Sequence, residues 1–233
     1  MGILRRLFPY PFRIHRLVEV LSLGLFLLFT VLSFWKFGRI SLIHFKDSYS
    51  ILIFVGIAIF FAAYICADFI SGFVHFLGDS FGDENTPYIG PAFIFPFRDH
   101  HVDPKGITRH DFVETNGNNC LVSLPILLYC FFVPIQSDTF PWGRIFWLLV
   151  LVGIFFTNQI HKWAHQDSPN RFVRFLQNRR LILSPEHHGI HHTKPYDTFF
   201  CITTGWWNSL LHRIRFFPFV KRVLKGIFRP FTG

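Results

Sequence analysis

Charge is what this sequence has least of. Only 16% of its 233 residues are Asp, Glu, Lys or Arg, against about 25% in an average soluble domain. That shortfall argues against a soluble globular domain. Acids are the scarcer sign, with 14 Asp and Glu against 23 Lys and Arg. Cysteine is sparse too. Of Cys66, Cys120, Cys130 and Cys201, two (Cys66 and Cys130) fall inside apolar runs, which argues against a disulfide framework. No internal repeat and no low-complexity tract is present. What the chain has instead is apolar bulk: 51% hydrophobic residues, 19% aromatic and 33 Phe. Such a composition excludes intrinsic disorder, and the length suits a single domain, residues 1–233.

Four apolar runs stand out, at about residues 17–35, 49–70, 119–135 and 141–160. Each approaches the roughly 20 residues that a helix needs to cross about 30 Å of hydrocarbon. The expectation is an all-α integral membrane protein with about four transmembrane helices. The third run is the shortest and contains Pro125, with Asn119 read as its cap. The first run carries Glu19 and ends without a small-residue cleavage pattern, so it reads as an uncleaved span rather than a signal peptide.

Positive charge sets orientation. Arg5, Arg6, Arg13 and Arg16 precede the first run, and twelve Lys and Arg follow the fourth against three acids. Both termini are therefore expected in the cytoplasm, in the inner membrane of a bacterium or the endoplasmic reticulum of a eukaryote. Residues 71–118 and 161–212 then form a cytoplasmic cap. The first of these segments is rich in acids, which is unusual for a cytoplasmic loop. At residues 205–229, Trp206, Trp207 and neighbouring apolar residues interleave with Arg213, Arg215, Lys221 and Arg222. That pattern suits amphipathic helices lying on an anionic lipid surface rather than on nucleic acid, with Pro218 expected to break them in two.

The abundant polar residue is histidine. Ten of 13 fall beside the span ends on one expected face: His75, His100, His101, His110, His161, His165, His187, His188, His191 and His192. His161 and His165 are four apart, as are the pairs 187/191 and 188/192, so on a helix each pair points one way from successive turns. Ser184, Pro185 and Glu186 form a helix start. Gly189 costs that helix about 1 kcal/mol and is expected where something approaches closely. A crowd of buried imidazoles without hydrogen-bond partners is costly, whereas metal binding uses them. Eight to ten rings exceed one closed zinc site and point to two metals. Nitrogen ligands suit a redox-capable ion such as iron. Asp79, Asp99, Asp103, Asp111 and Glu186 are expected to accept the second N–H of ligand rings and fix their orientation.

Alternatives can be tested against the letters. A zinc protease needs H-E-x-x-H, but here the box is H-K-W-A-H, with Lys162 in place of the base. A transporter wants polar groups at mid-membrane, and no run has one near its middle. A dimetal centre beside a hydrophobic bundle fits a hydrocarbon substrate entering from the bilayer. Desaturation and hydroxylation share the first hydrogen abstraction and are not separated by sequence. A non-catalytic metal scaffold is the remaining class.

The stretches A-D-F-I-S-G-F-V-H-F (67–76), P-F-R-D-H-H-V-D-P-K-G-I-T-R-H-D-F-V-E-T-N-G-N-N-C (96–120), N-Q-I-H-K-W-A-H (158–165), P-E-H-H-G-I-H-H (185–192) and F-C-I-T-T-G-W-W-N (200–208) resemble the Kua/CarF family of lipid desaturases. The resemblance implies a diiron membrane enzyme that uses O2 and two electrons from an external donor of the cytochrome b5 or ferredoxin type. Its implied substrate is a membrane phospholipid, with a plasmanyl 1-O-alkyl ether converted to the vinyl ether of a plasmalogen. A plastid branch instead desaturates a palmitoyl chain. The family's histidines match all ten named above. In the wider desaturase pattern, H-x-x-H-H is matched by His188, His191 and His192, and H-x-x-x-H by His161 and His165. The first box departs from that pattern, with Asp79 four residues after His75. His110 and His187 are expected to support the ligands rather than ligate.

Overall fold

The computed structural model describes residues 9–87, 89–135 and 140–228, with the side chains of 9–13, 92, 227 and 228 left aside. Arg5, Arg6 and Arg229 lie outside the described residues, as does the Arg13 side chain. Among the described residues the fold is helical, with no strand. Nine α-helices follow in chain order: α1 (Pro9–His44), α2 (Tyr49–Ser80), α3 (Phe95–Val102), α4 (Phe112–Phe132), α5 (Trp142–Ala164), α6 (Arg171–Asn178), α7 (Pro185–His191), α8 (Trp206–Arg213) and α9 (Phe216–Phe228). A π-helical stretch, Gly90–Ile94, leads into α3, and a 3-10 turn spans Gly106–Arg109.

Helices α1, α2 and α5 are long and apolar enough to cross a membrane. A buried core helix is the competing explanation for such a run, and exposure decides between the two. Only 11% of the most apolar window of α2 is buried, and Ile53, Phe54, Ile57, Phe60 and Phe61 stand exposed. A water-soluble protein does not leave so large a contiguous apolar surface uncovered.

The helix of the expected third span is present but starts earlier than its apolar run. Helix α4 begins seven residues earlier than the apolar run, and its cap is Asp111, whose carboxylate accepts from Glu114 N at 2.9 Å. Its first turns therefore carry Glu114, Asn116 and Asn118, and among the described residues three helices, α1, α2 and α5, meet the length and apolarity needed to cross. Asn119 is not a cap. It lies inside α4, donates to the Ile154 carbonyl at 2.8 Å and accepts from Asn158 at 3.2 Å. The helices of the first two runs are also longer than the apolar pattern alone, because helix geometry continues through Lys36 and Arg39 in α1 and through Ser71–Ser80 in α2.

The chain divides into two compact units. The first comprises Met1–Ala67 and His110–Gln159. Its core is built from Phe26, Phe37, Cys120, Leu127, Leu148, Leu151 and Phe155. Helices α1 and α4 approach closely because residue 117 is glycine: a Cβ there would lie 2.6 Å from that of Glu19. The second unit comprises Asp68–Arg109 and Ile160–Gly233. Ile160, Ala164, Val173, Ile182, Leu183 and Ile202 form one apolar cluster in it, and Phe76, Phe200, Cys201, Leu211 and Phe217 another.

The caps of the short helices follow the sequence. Ser184 accepts from His187 N at 3.3 Å, with Pro185 at the first position of α7. Asn170 accepts from Val173 N at the start of α6. The C-terminal segment does break in two, but upstream of Pro218. The chain turns at Arg215, in the left-handed region at φ 54°, and Pro218 sits in the first turn of α9, where its missing N–H costs nothing. Among the described residues nothing lies within 4 Å of a Cβ placed on Gly189, so no part of the described chain makes the close approach expected there.

Candidate metal centre

Nine potential ligands of the second unit converge in two groups. His100, His161, His165, His188 and His192 form one; His75, Asp79, His101 and His191 form the other. Within each group, one ligand atom per residue lies within 4.8 Å of all the rest. The helical period explains the sorting. Residues four apart share a face, whereas neighbours diverge by about 100°. Thus α2 sends His75 and Asp79 to one group, and the end of α5 sends His161 and His165 to the other. On α3 the adjacent His100 and His101 part company. On α7, His188 and the following His192 join the five-ring group while His191 joins the mixed one.

The atoms fit metal cations better than they fit one another. In the five-ring group, Nε2 of His188 lies 2.8 Å from Nε2 of His161 and 3.1 Å from Nε2 of His192, which is itself 3.2 Å from Nε2 of His100. A neutral imidazole has one bare nitrogen, and bare nitrogens facing at this range repel unless a cation lies among them. In the mixed group, the Nε2 atoms of His101, His75 and His191 surround Asp79 Oδ2 at 3.1, 3.4 and 3.5 Å. Nε2 of His75, His165 and His191 and Oδ1 of Asp79 are buried without a hydrogen-bond partner. Native interiors rarely tolerate such orphans, and here all four belong to residues of the two groups.

Burial, reinforced by mutual repulsion among the rings, keeps them neutral and ready to ligate. His165 is held down at about 4, His191 and His192 at about 3 and His100 at about 2, with His188 well below its ordinary value. A neutral ring is the form that binds a metal.

The comparisons with known proteins bear on what this arrangement is for. The model of the lipid desaturase domain matches residues 64–230. The chain belongs to the lipid desaturase family. Plasmanylethanolamine desaturase of Myxococcus xanthus is 51% identical to this desaturase-family chain over 167 residues, 69% of the chain and 57% of that protein. Plasmanylethanolamine desaturase 1 of Mus musculus is 45% identical over 173 residues, 71% of this chain and 64% of its own. Fatty acid desaturase 4, chloroplastic, of Arabidopsis thaliana is 32% identical over 165 residues, covering 70% and 50% of the two chains. The chain spans about three-fifths of the length of the first two of these relatives. No solved structure matches it significantly.

Within this lipid desaturase chain, the structure brings eight of the ten expected histidines together. His110 lies in the first unit, 3.8 Å from Glu114. His187 lies outside both groups, with Nε2 3.2 Å from Asn208 Nδ2. The expectation that five acids orient the rings is corrected. Asp79 stands inside the mixed group. Asp103 pairs with Arg109, Asp111 caps α4 and pairs with Arg16 at 2.6 Å, and Asp99 and Glu186 are exposed. The acids are drawn off by nearer cations and solvent, and backbone carbonyls orient rings instead: Nδ1 of His75 donates to Phe200 O at 3.1 Å, and Nδ1 of His191 to Thr198 O at 2.8 Å. Sequence reading missed these carbonyls, since any residue supplies one. Trp207 packs on Phe69, Trp206 donates to Arg180 O at 2.7 Å, and Arg213 and Arg215 are exposed.

Proposed function

We propose that this chain is an O2-dependent desaturase of membrane lipids that converts the 1-O-alkyl chain of a plasmanyl phospholipid to a vinyl ether. The observation that carries the reading is the pair of convergent ligand groups, five imidazoles in one and three with a carboxylate in the other, within a chain of the lipid desaturase family. Two iron ions would be held by His100, His161, His165, His188 and His192, and by His75, Asp79, His101 and His191. Bound there, they supply the O2 activation that breaking an unactivated C–H bond demands and that side chains alone cannot provide. Overall the lipid gives up two hydrogens, a donor protein of the cytochrome b5 or ferredoxin type gives two electrons, and solvent gives two protons; O2 leaves as two waters.

The chain's own residues do the rest. The depressed basicity of the rings keeps protons out of the ligand set at neutral pH. Phe200, packed against His75 and His191, excludes water on one side of the mixed group. The exposed Arg213 and Arg215 suit the phosphate of a phospholipid. Four spans with both termini in the cytoplasm agree with the charge distribution, α4 crossing as the shortest of the four.

The test is expression in cells that hold alkyl-ether lipids but make no vinyl ethers, with lipid analysis by mass and acid lability. Appearance of acid-labile vinyl ethers two mass units below the alkyl ether is expected. A gain of sixteen would mean hydroxylation, and a change confined to acyl lipids would move the substrate to a fatty acyl chain.

A further inference from the structure

Asp68 lies seven residues before His75 on α2, fully buried, and belongs to neither ligand group. Its carboxylate instead gathers the backbone of a distant loop. Oδ1 accepts from the N–H of Thr203, Thr204 and Gly205 at 3.1, 2.7 and 3.0 Å, and Oδ2 accepts from Trp207 N at 3.4 Å. One turn on, Ser71 Oγ accepts from Ile202 N at 3.1 Å. Asn208 holds the next residue, accepting from Cys201 N at 2.8 Å and donating to Cys201 O at 3.0 Å. The loop is thus pinned at every residue from 201 to 205. Just before the pinned stretch come Thr198 and Phe200, whose carbonyls hold Nδ1 of His191 and His75. Phe199 between them is in the left-handed region at φ 60°, a conformation that a bulky residue keeps only where its surroundings impose it.

The consequence is selective. A carbonyl only accepts, so it fixes the proton on Nδ1 and leaves Nε2 bare to face the mixed group. Both rings oriented this way, His75 and His191, belong to that group. In the five-ring group, Nδ1 of His188 and His192 has no such partner. We propose that Asp68 is a positioning residue that sets, through loop 198–205, which nitrogen His75 and His191 present, and so governs occupancy of the mixed histidine–carboxylate site but not of the five-histidine site. The inference rests on the reading of both groups as metal sites.

The test is Asp68→Asn in detergent-purified protein loaded with isotopically enriched ferrous iron. Iron per chain is measured during chelator titration, Mössbauer spectra are recorded, and the thermal midpoint is taken alongside. Outer partners of ligand histidines are worth about 10–100-fold in metal affinity. The carboxylate here acts one step further out, so iron of the mixed site is expected to leave at about tenfold lower chelator concentration while the five-ring signal stays. Unchanged release, or parallel loss of both signals, overturns the proposal, the second by showing a merely structural role. If Asp68→Asn does not fold, Ser71→Ala keeps the carboxylate and removes one pin. A smaller loss confined to the same signal supports the proposal, and no loss overturns it. Wild-type protein that binds no iron would instead sink the metal reading itself.

Discussion

Replacing Gly72 by alanine tests how tightly α2 and the loop of residues 198–205 must meet. A Cβ at residue 72 would lie 2.3 Å from Sγ of Cys201, 1.1 Å short of the 3.4 Å at which ordinary contact begins, and 3.0 Å from both its Cα and its N. Cys201 is fully buried, so the sulfur has no solvent to turn into, and two of the three short contacts are backbone. Relief requires the loop to move, which stretches the Asn208 bond to Cys201 N. Overpacking of this kind costs about 1–3 kcal/mol, and a weakened hydrogen bond about 0.5–1.5 kcal/mol more. At about 2–4 °C per kcal/mol for a chain of this size, the thermal midpoint of the detergent-solubilised protein should fall by several degrees at fixed scan rate. Adding Cys201→Ala removes the sulfur contact but leaves the two backbone contacts, so the double variant should recover only part of the loss. If Gly72→Ala melted with the wild type, or if Cys201→Ala restored it fully, the backbone-contact argument would be wrong.

Three further outcomes are expected. His110→Ala and His187→Ala lie outside both ligand groups and should retain full iron by elemental analysis, whereas His188→Ala should lose the five-ring signal; equal losses in all three would refute the grouping. Lowering pH should destabilise the metal-free fold. The unfolded rings take up protons from about 6.5 downwards, while the folded His165 waits until about 4 and His191 and His192 until about 3. Protons therefore favour the unfolded chain, stability is complete above about 6.5 and drains through the interval down to 4 and below, and a midpoint flat from pH 7 to 4 would contradict this. Asp111→Ala should cost about 1 kcal/mol from the lost cap; the pair with Arg16, on the surface, adds little, so Asp111→Asn should recover most of the midpoint.

Much of this site was legible because its spacing is helical. H-K-W-A-H and H-H-G-I-H-H state their geometry as soon as a helix is assumed, and Ser184-Pro185-Glu186 states where one begins. The apolar runs gave their helices for the same reason, by exceeding any plausible core element. What did not show was the division into two ligand groups, because it depends on how α2, α3, α5 and α7 rotate about their axes when packed. The early start of α4 was present as a signal: Asp111 with Glu114 three residues on is a capping-box pattern, outweighed in the reading by the apolar run that follows. The role of Asp68 was hidden for a different reason. Its partners are N–H groups of residues more than 130 positions away, and backbone donors leave no trace in side-chain letters. A lone acid in a long apolar run was the available hint.

The length of α2 carries a consequence for where a substrate can react. At about 1.5 Å per residue its 32 residues extend to about 48 Å, while the oily slab of a bilayer is only about 30 Å deep. Roughly a third of the rod is left to stand proud of the hydrocarbon, and His75 and Asp79 ride on its far end. On the proposed reading, chemistry performed there would work at the waterline, within easy reach of carbons next to a glycerol backbone and remote from the methyl end of a lipid tail.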